Sequence, residues 1–361
     1  MSLLFELLQV ALGNRVSLNH VPSDDEWSVL YDESERQAVT GILLQGIERL
    51  SVEQRPSQEI LLQWIGIGQM IEQQNRLLDE RCIDFLSRLK NAGLHGTILK
   101  GQGITLLYDK ELRPLRQSGD IDVYANCGIR KALAFAKSQG LKEVDWDYKH
   151  LHLNLWDDTE VEMHYRVEVL LNLWKNRRLQ KWFRENDALL FCDNNGLTTP
   201  TSLFNVFYIL LHIYRHFLYE GVGMRQIVDY YFVLKAVNRD KLDVSNSLEA
   251  VSKFGMERFA KGLTWVMKEA LGMPREWMLW EPDEKEGKYI LSQVMQGGNF
   301  GHYDQRLQHD GGKWNAVKQV CRHNWHLLSH YPADVIWAPV WFVWHKCWKL
   351  KTKALLAISK N

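Results

Sequence analysis

Paired cysteines are missing from this chain. Its five cysteines (Cys82, Cys127, Cys192, Cys321 and Cys347) are odd in number, widely separated and never arranged as Cys-x-x-Cys. That excludes a disulfide framework and a cysteine zinc site, and it is the pattern of reduced, buried thiols in a cytosolic protein. Net charge of either sign is missing too, because 44 basic and 44 acidic residues cancel. A general nucleic-acid binder carries a basic excess, so tRNA or DNA is not the expected partner and a small-molecule or protein acceptor fits better. No stretch of about 20 uninterrupted apolar residues occurs, so no membrane span is expected. The N-terminal apolar stretch contains Glu6 and lacks a basic leader and a small-residue cleavage site, which predicts a helix rather than a secretion signal and hence a cytoplasmic protein. Metalloprotease spacing is also lacking. His212 and His216 are separated by Ile213, Tyr214 and Arg215 without a glutamate, and His323, His326 and His330 have no acid between them. There is no internal repeat and no low-complexity stretch.

What is present divides into three parts. Residues 3–92 carry apolar side chains at three- and four-residue spacing, chiefly over Leu3–Leu12, Gln37–Leu50 and Ser57–Asn91, the last ending at a glycine cap, Gly93. An alternating α/β part follows. Strands are expected over Gly96–Leu99, Gly119–Ala125, Lys142–Asp147, Lys149–Leu155 and Thr159–Tyr165, and helices over Gly101–Tyr108 and Arg130–Ser138. From Thr201 onward helices return, over 201–219, 224–237, 245–271, 283–296 and 313–329. The expected division is therefore an N-terminal helical region (1–92), a catalytic core (93–199) and a C-terminal helical domain (200–361). Near the C-terminus Trp337, Trp341, Trp344 and Trp348 recur at helical spacing with Lys346, Lys349, Lys351 and Lys353 among and after them. A core-packing helix is the favoured reading, and peripheral membrane contact is the alternative.

The chemistry concentrates in the middle part. Leu99-Lys100-Gly101-Gln102-Gly103 reads as a glycine turn feeding a helix, and Gly119-Asp120-Ile121-Asp122-Val123 follows sixteen residues after Gly103. Strand alternation projects Asp120 and Asp122 to one face and Ile121 and Val123 to the other. Two such carboxylates repel, and a hard divalent cation relieves the repulsion while also taking substrate phosphate oxygens. If that repulsion stands in the metal-free protein, an asparagine at either position should leave stability unchanged or slightly raised. In Thr159-Glu160-Val161-Glu162-Met163-His164-Tyr165 the same alternation puts Glu160, Glu162 and His164 on one face, so one glutamate can supply a third carboxylate. Two metal ions roughly 3.5–4 Å apart in such a cluster stabilise the attacking and leaving oxygens of an in-line phosphoryl displacement. His150 and His152 share a face of the neighbouring strand. Lys100, Arg113 and Arg116 stand between the turn and the aspartates and are candidates for phosphate. Arg225 and Asp229, four apart, read first as an intrahelical pair.

The order Leu99-Lys100-Gly101, helix, Tyr108, Leu112-Arg113-Pro114, Arg116-Gln117-Ser118-Gly119-Asp120-Ile121-Asp122, then Val161-Glu162-Met163-His164-Tyr165, resembles the uncharacterised nucleotidyltransferase family of the polymerase-β-like superfamily, over roughly residues 80–300. The resemblance implies an α+β fold, a small mixed sheet with helices as the polymerase-β-like nucleotidyltransferase core, flanked by N-terminal helices and a C-terminal helical domain. It implies a turn glycine at Gly101, metal ligands at Asp120, Asp122 and Glu162, and Mg²⁺ or Mn²⁺ as cofactor. Nucleotide and phosphate contacts would come from Lys100, Gly101, Gln102, Arg113, Arg116, Gly119, His164 and Arg225. Gln102 departs from the pattern, since the superfamily often has a small hydroxyl residue or glycine there; Gly103 would keep the close backbone approach. The expected reaction moves an NMP group from a nucleoside triphosphate to an unidentified hydroxyl acceptor in a protein, sugar or small molecule. The alternative is a catalytically inactive nucleotide-binding or scaffold protein that retains the fold.

Overall fold

Apolar–polar alternation between residues 96 and 164 builds a five-stranded mixed sheet in the computed structural model, which describes residues 2–194, 196–301, 303 and 327–358. Its strands are β1 (Gly96–Ile98), β2 (Ile121–Ala125), β3 (Asp145–Trp146), β4 (His150–Trp156) and β5 (Thr159–His164). They lie in the order β1-β2-β5-β4-β3. β2 and β5 run parallel, and the other neighbours are antiparallel. One face is apolar: Ile121, Val123, Leu151, Leu153, Val161 and Met163 are all buried to within 1%. A separate ribbon pairs β6 (Cys192–Asn194) with β7 (Leu197–Thr199).

Two compact units emerge, each assembled from distant segments of chain. The helical one comprises residues 1–77, 104–118 and 205–321, and the sheet-bearing one residues 78–103, 119–204 and 322–361. In the helical unit α1 (Leu3–Ala11), α2 (Asp24–Arg36), α3 (Thr40–Arg49), the first half of α4 (Gln58–Asn91) and later helices surround buried Trp27, Trp64 and Tyr230. Ser23 and Glu26 close a reciprocal capping box at the start of α2. Gly41 is required where it stands, since a Cβ would lie 2.1 Å from the Leu115 carbonyl oxygen.

Several elements differ from expectation for identifiable reasons. The helix expected over Gly101–Tyr108 shortens to α5 (Gln102–Thr105), after which Leu107 and Tyr108 donate to carbonyls three residues back. β2 starts at Ile121, so Gly119 and Asp120 precede the ladder, and the strand expected over 142–147 shrinks to two residues. In the sheet-bearing unit α6 (Ile129–Ser138) follows β2, and α7 (Leu173–Glu185), which was not anticipated, is capped by the Asn172 side chain and buries Leu179, Trp182 and Phe183. Among the later helices, α8 (Ser202–Tyr219), α9 (Met224–Arg239) and α12 (Glu284–Gly297) match the pattern. The 245–271 segment divides into α10 (Ser245–Lys253) and α11 (Glu257–Leu271), because Gly255 takes φ +72° and terminates the first. Residues 313–326 of the expected 313–329 helix, with Cys321, His323 and His326, lie outside the described residues.

The tryptophan stripe near the C-terminus packs inward within the sheet-bearing unit. On the Trp337–Ile358 helix, Trp341, Trp344 and Trp348 meet the Tyr148 ring edge-on at 5.3, 5.0 and 4.9 Å, and Arg166 stacks over the same ring at 3.8 Å. Trp341, Trp344 and Trp348 of that stripe are therefore packed against protein. No described helix is long and apolar enough to cross a membrane.

Gly103 supplies a test of the fold. A Cβ there would sit 2.5 Å from the Ile98 carbonyl oxygen, so its missing side chain admits the end of β1. Gly103→Ala is predicted to cost about 1–3 kcal/mol by forcing backbone apart. Gly119→Ala, where nothing lies within 4 Å of the new methyl, should stay within about 0.5 kcal/mol. Urea denaturation of the two variants checks this; equal effects would refute the close-packing role of Gly103.

Candidate active site

Sheet register brings the acids together. Parallel pairing sets Asp122 of β2 directly beside Glu162 of β5, and the antiparallel β4 adds His152 opposite Glu162 and His150 opposite His164. Neighbours in a row across strands share a face, so these five side chains project to the side away from the apolar face.

Lys100 enters from the turn after β1. The Leu99 amide donates to the Asp122 carbonyl at 2.9 Å, and Gly101, at φ +54°, turns the chain immediately afterwards. That geometry puts Lys100 Nζ 2.9 Å from Asp122 Oδ2. On the other side His164 Nε2 lies 2.8 Å from Asp122 Oδ1 and 3.2 Å from Glu162 Oε2. Asp122 and His164 are only 3% and 1% exposed, so this is a charge cluster held out of water.

The electrostatics follow from that burial. Desolvation pushes Asp122 up, but the Lys100 charge and the His164 hydrogen bond outweigh it and hold the carboxyl well below the usual carboxylate range. Glu162 is also raised by desolvation, and then brought down to about 2, chiefly by its hydrogen bond to His164. For His164, burial pulls downward while the bonds to Asp122 and Glu162 raise it above its ordinary value. Burial, followed by the charge of His164, pushes His150 down to about 3. The expectation of bare repulsion between Asp120 and Asp122 is thus corrected. Asp122 already faces the Lys100 ammonium and the His164 ring, and removing its charge would leave Lys100 without its counter-ion.

The remaining candidates are distributed over both units. Asp120 is half-buried and near enough to Lys100 to raise its pKa, while Gly119 is exposed. Gln102 is buried and its amide donates to Asp79 of α4 at 2.7 Å. Arg113 is exposed in a 3₁₀ turn. Arg116 grips Asp229 with Nε and Nη2 at 2.7 Å each, and its Nη1 donates to Ser118 Oγ at 2.8 Å. Tyr108 donates to the same Asp229 at 2.7 Å. Arg225 Nη1 donates to the Gln117 carbonyl at 2.7 Å. Arg113, Arg116, Arg225, Tyr108 and Asp229 all belong to the helical unit. Sequence reasoning missed Asp79 and the buried Lys149–Glu168 pair, 3.7 Å apart. Neither stands in a motif, and their partners lie at spacings with no local meaning.

Opposite shifts on two neighbouring histidines give a pH signature. His164, raised, contributes stability that is complete below the unfolded value of about 6.5 and is lost as pH rises through its folded value. His150, at about 3, costs stability as pH falls below about 6.5, because the unfolded ring takes up a proton that the folded ring refuses. The slope on either limb is bounded at about 1.4 kcal/mol per pH unit per proton. Denaturation curves from pH 5 to 9 should show His164→Gln flattening the alkaline limb and His150→Gln the acid limb. A variant that flattens the opposite limb would contradict these assignments.

No curated protein and no solved structure matches the chain. The model of one family, described as uncharacterised nucleotidyltransferase, matches residues 23–272, a span that includes the glycine turn, Asp120, Asp122, Glu162 and the α9 segment. The chain belongs to this uncharacterised nucleotidyltransferase family.

Proposed function

We propose that this chain transfers a nucleoside monophosphate from a nucleoside triphosphate to a hydroxyl acceptor, releasing pyrophosphate. The observation that carries the reading is the register of Asp122 beside Glu162 with Lys100 2.9 Å away: acids and a cation assembled at one point of a buried sheet. Asp122, Glu162 and His164 offer ligand atoms within 4.8 Å of one another, and the carboxylate oxygens suit a hard cation. Bound there, Mg²⁺ or Mn²⁺ would supply the positive charge that lowers the barrier to in-line displacement at phosphorus.

The acceptor oxygen bonds to the α-phosphorus as the bond to the pyrophosphate oxygen breaks. Glu162, held at about 2, stays ionised throughout and serves as a ligand rather than as the base, so the acceptor's proton leaves to solvent. Asp120, just before β2, adds the next carboxylate. Lys100 neutralises Asp122, and its flexible stem would also let the ammonium reach phosphate oxygens of a bound nucleotide. Arg116 has its donors on Asp229 and Ser118, so its part is to hold the segment that leads to Gly119 and Asp120.

Thermal melts with ATP, GTP, CTP and UTP, each with Mg²⁺ or Mn²⁺, test the reading. A nucleotide at a hundredfold excess over its dissociation constant should stabilise the chain by about 2.7 kcal/mol. No shift with any of them would favour a catalytically silent scaffold. With the responding nucleotide, Glu162→Gln should abolish transfer while Glu160→Gln keeps most of it, since two residues along a strand separate them by about 6.6 Å. Asp122→Asn should lose transfer and also about 3 kcal/mol or more of stability, by leaving Lys100 without its buried partner. Asp122→Asn combined with Lys100→Met should regain the stability but not the activity. If the double variant stays as unstable as the single, the ion pair is not what Asp122 contributes to the fold.

A further inference from the structure

His150 and His152 form a second constellation, on β4, that nucleotidyl transfer does not use. Two residues apart on one face of the strand, their rings meet edge-on with centroids 4.6 Å apart, and their Nε2 atoms face each other at 3.1 Å. His152 Nδ1 lies 2.9 Å from Glu160 Oε1, an acceptor, so that nitrogen carries the ring's proton and Nε2 presents a lone pair when the imidazole is neutral. His150 is 7% exposed, and its Nδ1 approaches Glu162 Oε2 at 3.2 Å on a line too bent for a hydrogen bond. A buried ring is thus held with one nitrogen beside a carboxylate and the other aimed at a second imidazole lone pair.

A neutral His150 carrying its proton on Nε2 donates it to the His152 Nε2 lone pair, and a metal ion can take the place of that proton between the two nitrogens. Ligand nitrogens at about 2.0–2.1 Å from a tetrahedral ion are roughly 3.3 Å apart, close to the spacing seen. The Glu162 carboxylate supplies a third ligand atom, since His150, His152 and Glu162 each offer one donor within 4.8 Å of the others. Glu160 occupies the outer position, where a carboxylate orients a metal-bound histidine and fixes its tautomer. Imidazole donors select borderline transition metals over Mg²⁺.

From this geometry we infer that His150, His152 and Glu162 form a binding site for a Zn²⁺-class transition-metal ion beside the carboxylate cluster. The ion is held by two neutral imidazoles and one carboxylate, with Glu160 as a positioning residue and a remaining coordination position open to water. The site does not depend on the chain being a nucleotidyltransferase. Glu162 is common to both clusters, so a bound ion would also fix the carboxylate that faces Asp122.

The test uses Co²⁺ as a spectroscopic probe on the full-length protein after chelator treatment, with circular dichroism verifying that each variant is folded. The wild type should develop a saturable visible band of tetrahedral Co²⁺ at a single equivalent, displaced by Zn²⁺ and not by Mg²⁺. His152→Ala, at a side chain 34% exposed and therefore mild for the fold, should abolish the band. Glu160→Gln should weaken binding by about 10- to 100-fold. The Asp122→Asn, Lys100→Met double variant should keep the band, because neither residue belongs to the imidazole site. No band in the wild type, a band indifferent to His152→Ala, or a band lost in the double variant would each overturn the assignment. The readout needs no nucleotide, so its failure leaves the nucleotidyl-transfer reading standing, and a missing Mg-nucleotide shift leaves this one standing.

Discussion

Burial of the Asp122 carboxylate is the constraint on which the sheet-bearing unit turns. An ionised carboxylate at 3% exposure costs several kcal/mol in lost hydration unless charge and hydrogen bonds replace the water. Replacement comes from the strands on either side of β2: Lys100 from the turn after β1, and His164 from the end of β5. Each arrives only if the backbone is right. Lys100 reaches Asp122 because the Leu99 amide continues the β1–β2 pairing before Gly101 turns away at positive φ, and His164 reaches it because β2 and β5 are parallel and in register. A slip of one residue in β5 would turn His164 and Glu162 to the apolar face and bring Val161 and Met163 to the charge. The charged face therefore fixes the strand register as firmly as the apolar face does.

The sequence made the acids legible and left their partners obscure. Period-two alternation was enough to place Glu160, Glu162 and His164 on one face, and the glycine turn was visible in Lys100-Gly101-Gln102-Gly103. Which cation would serve the aspartates was another matter. Lys100, Arg113 and Arg116 all precede them, and nothing in spacing says that Lys100 is the ion-pair partner while Arg116 serves Asp229, a residue 113 positions away. Partner choice across strands and helices is a property of register and topology, neither of which is written locally. Arg225 and Asp229 illustrate the error that follows from local reasoning: four residues apart on a helix, they invite an intrahelical pair, yet the Asp229 carboxylate is gripped by Arg116 and Tyr108.

Composition misled less than it withheld. Tryptophans with lysines near the C-terminus suit both a membrane surface and a packed helix, because both demand an amphipathic aromatic face. On the packed side stands Tyr148, whose ring collects three tryptophans and the Arg166 guanidinium. In α7 the signals were present, an Asn172 cap and buried residues at 179, 182 and 183, but the many basic residues of the segment made it read as polar and solvated. α10 and α11 show the converse, a continuous apolar rhythm interrupted by one glycine whose left-handed conformation is invisible to periodicity.

The charge state of the cluster also sets what a metal would have to do on entering it. Asp122 and Glu162 are ionised far below neutral pH, and Lys100 and His164 provide the counter-charge, so an incoming cation meets no bare carboxylate pair. It has to displace an ammonium or an imidazolium, and the net attraction is the difference between two cations in one place rather than the full Coulomb term. An imidazolium can yield by releasing a proton, so entry on the His164 side becomes easier as pH rises. An ammonium whose pKa is raised above its ordinary value yields only by moving away. Lys100 has a flexible four-carbon stem and a side chain 16% exposed, which permits that movement, and a triphosphate offers its oxygens as the new partner. If the chain binds metal and nucleotide as proposed, the two would be coupled through one side chain: each would remove the cost that Lys100 imposes on the other, and binding of the two together would be favoured over binding of either alone.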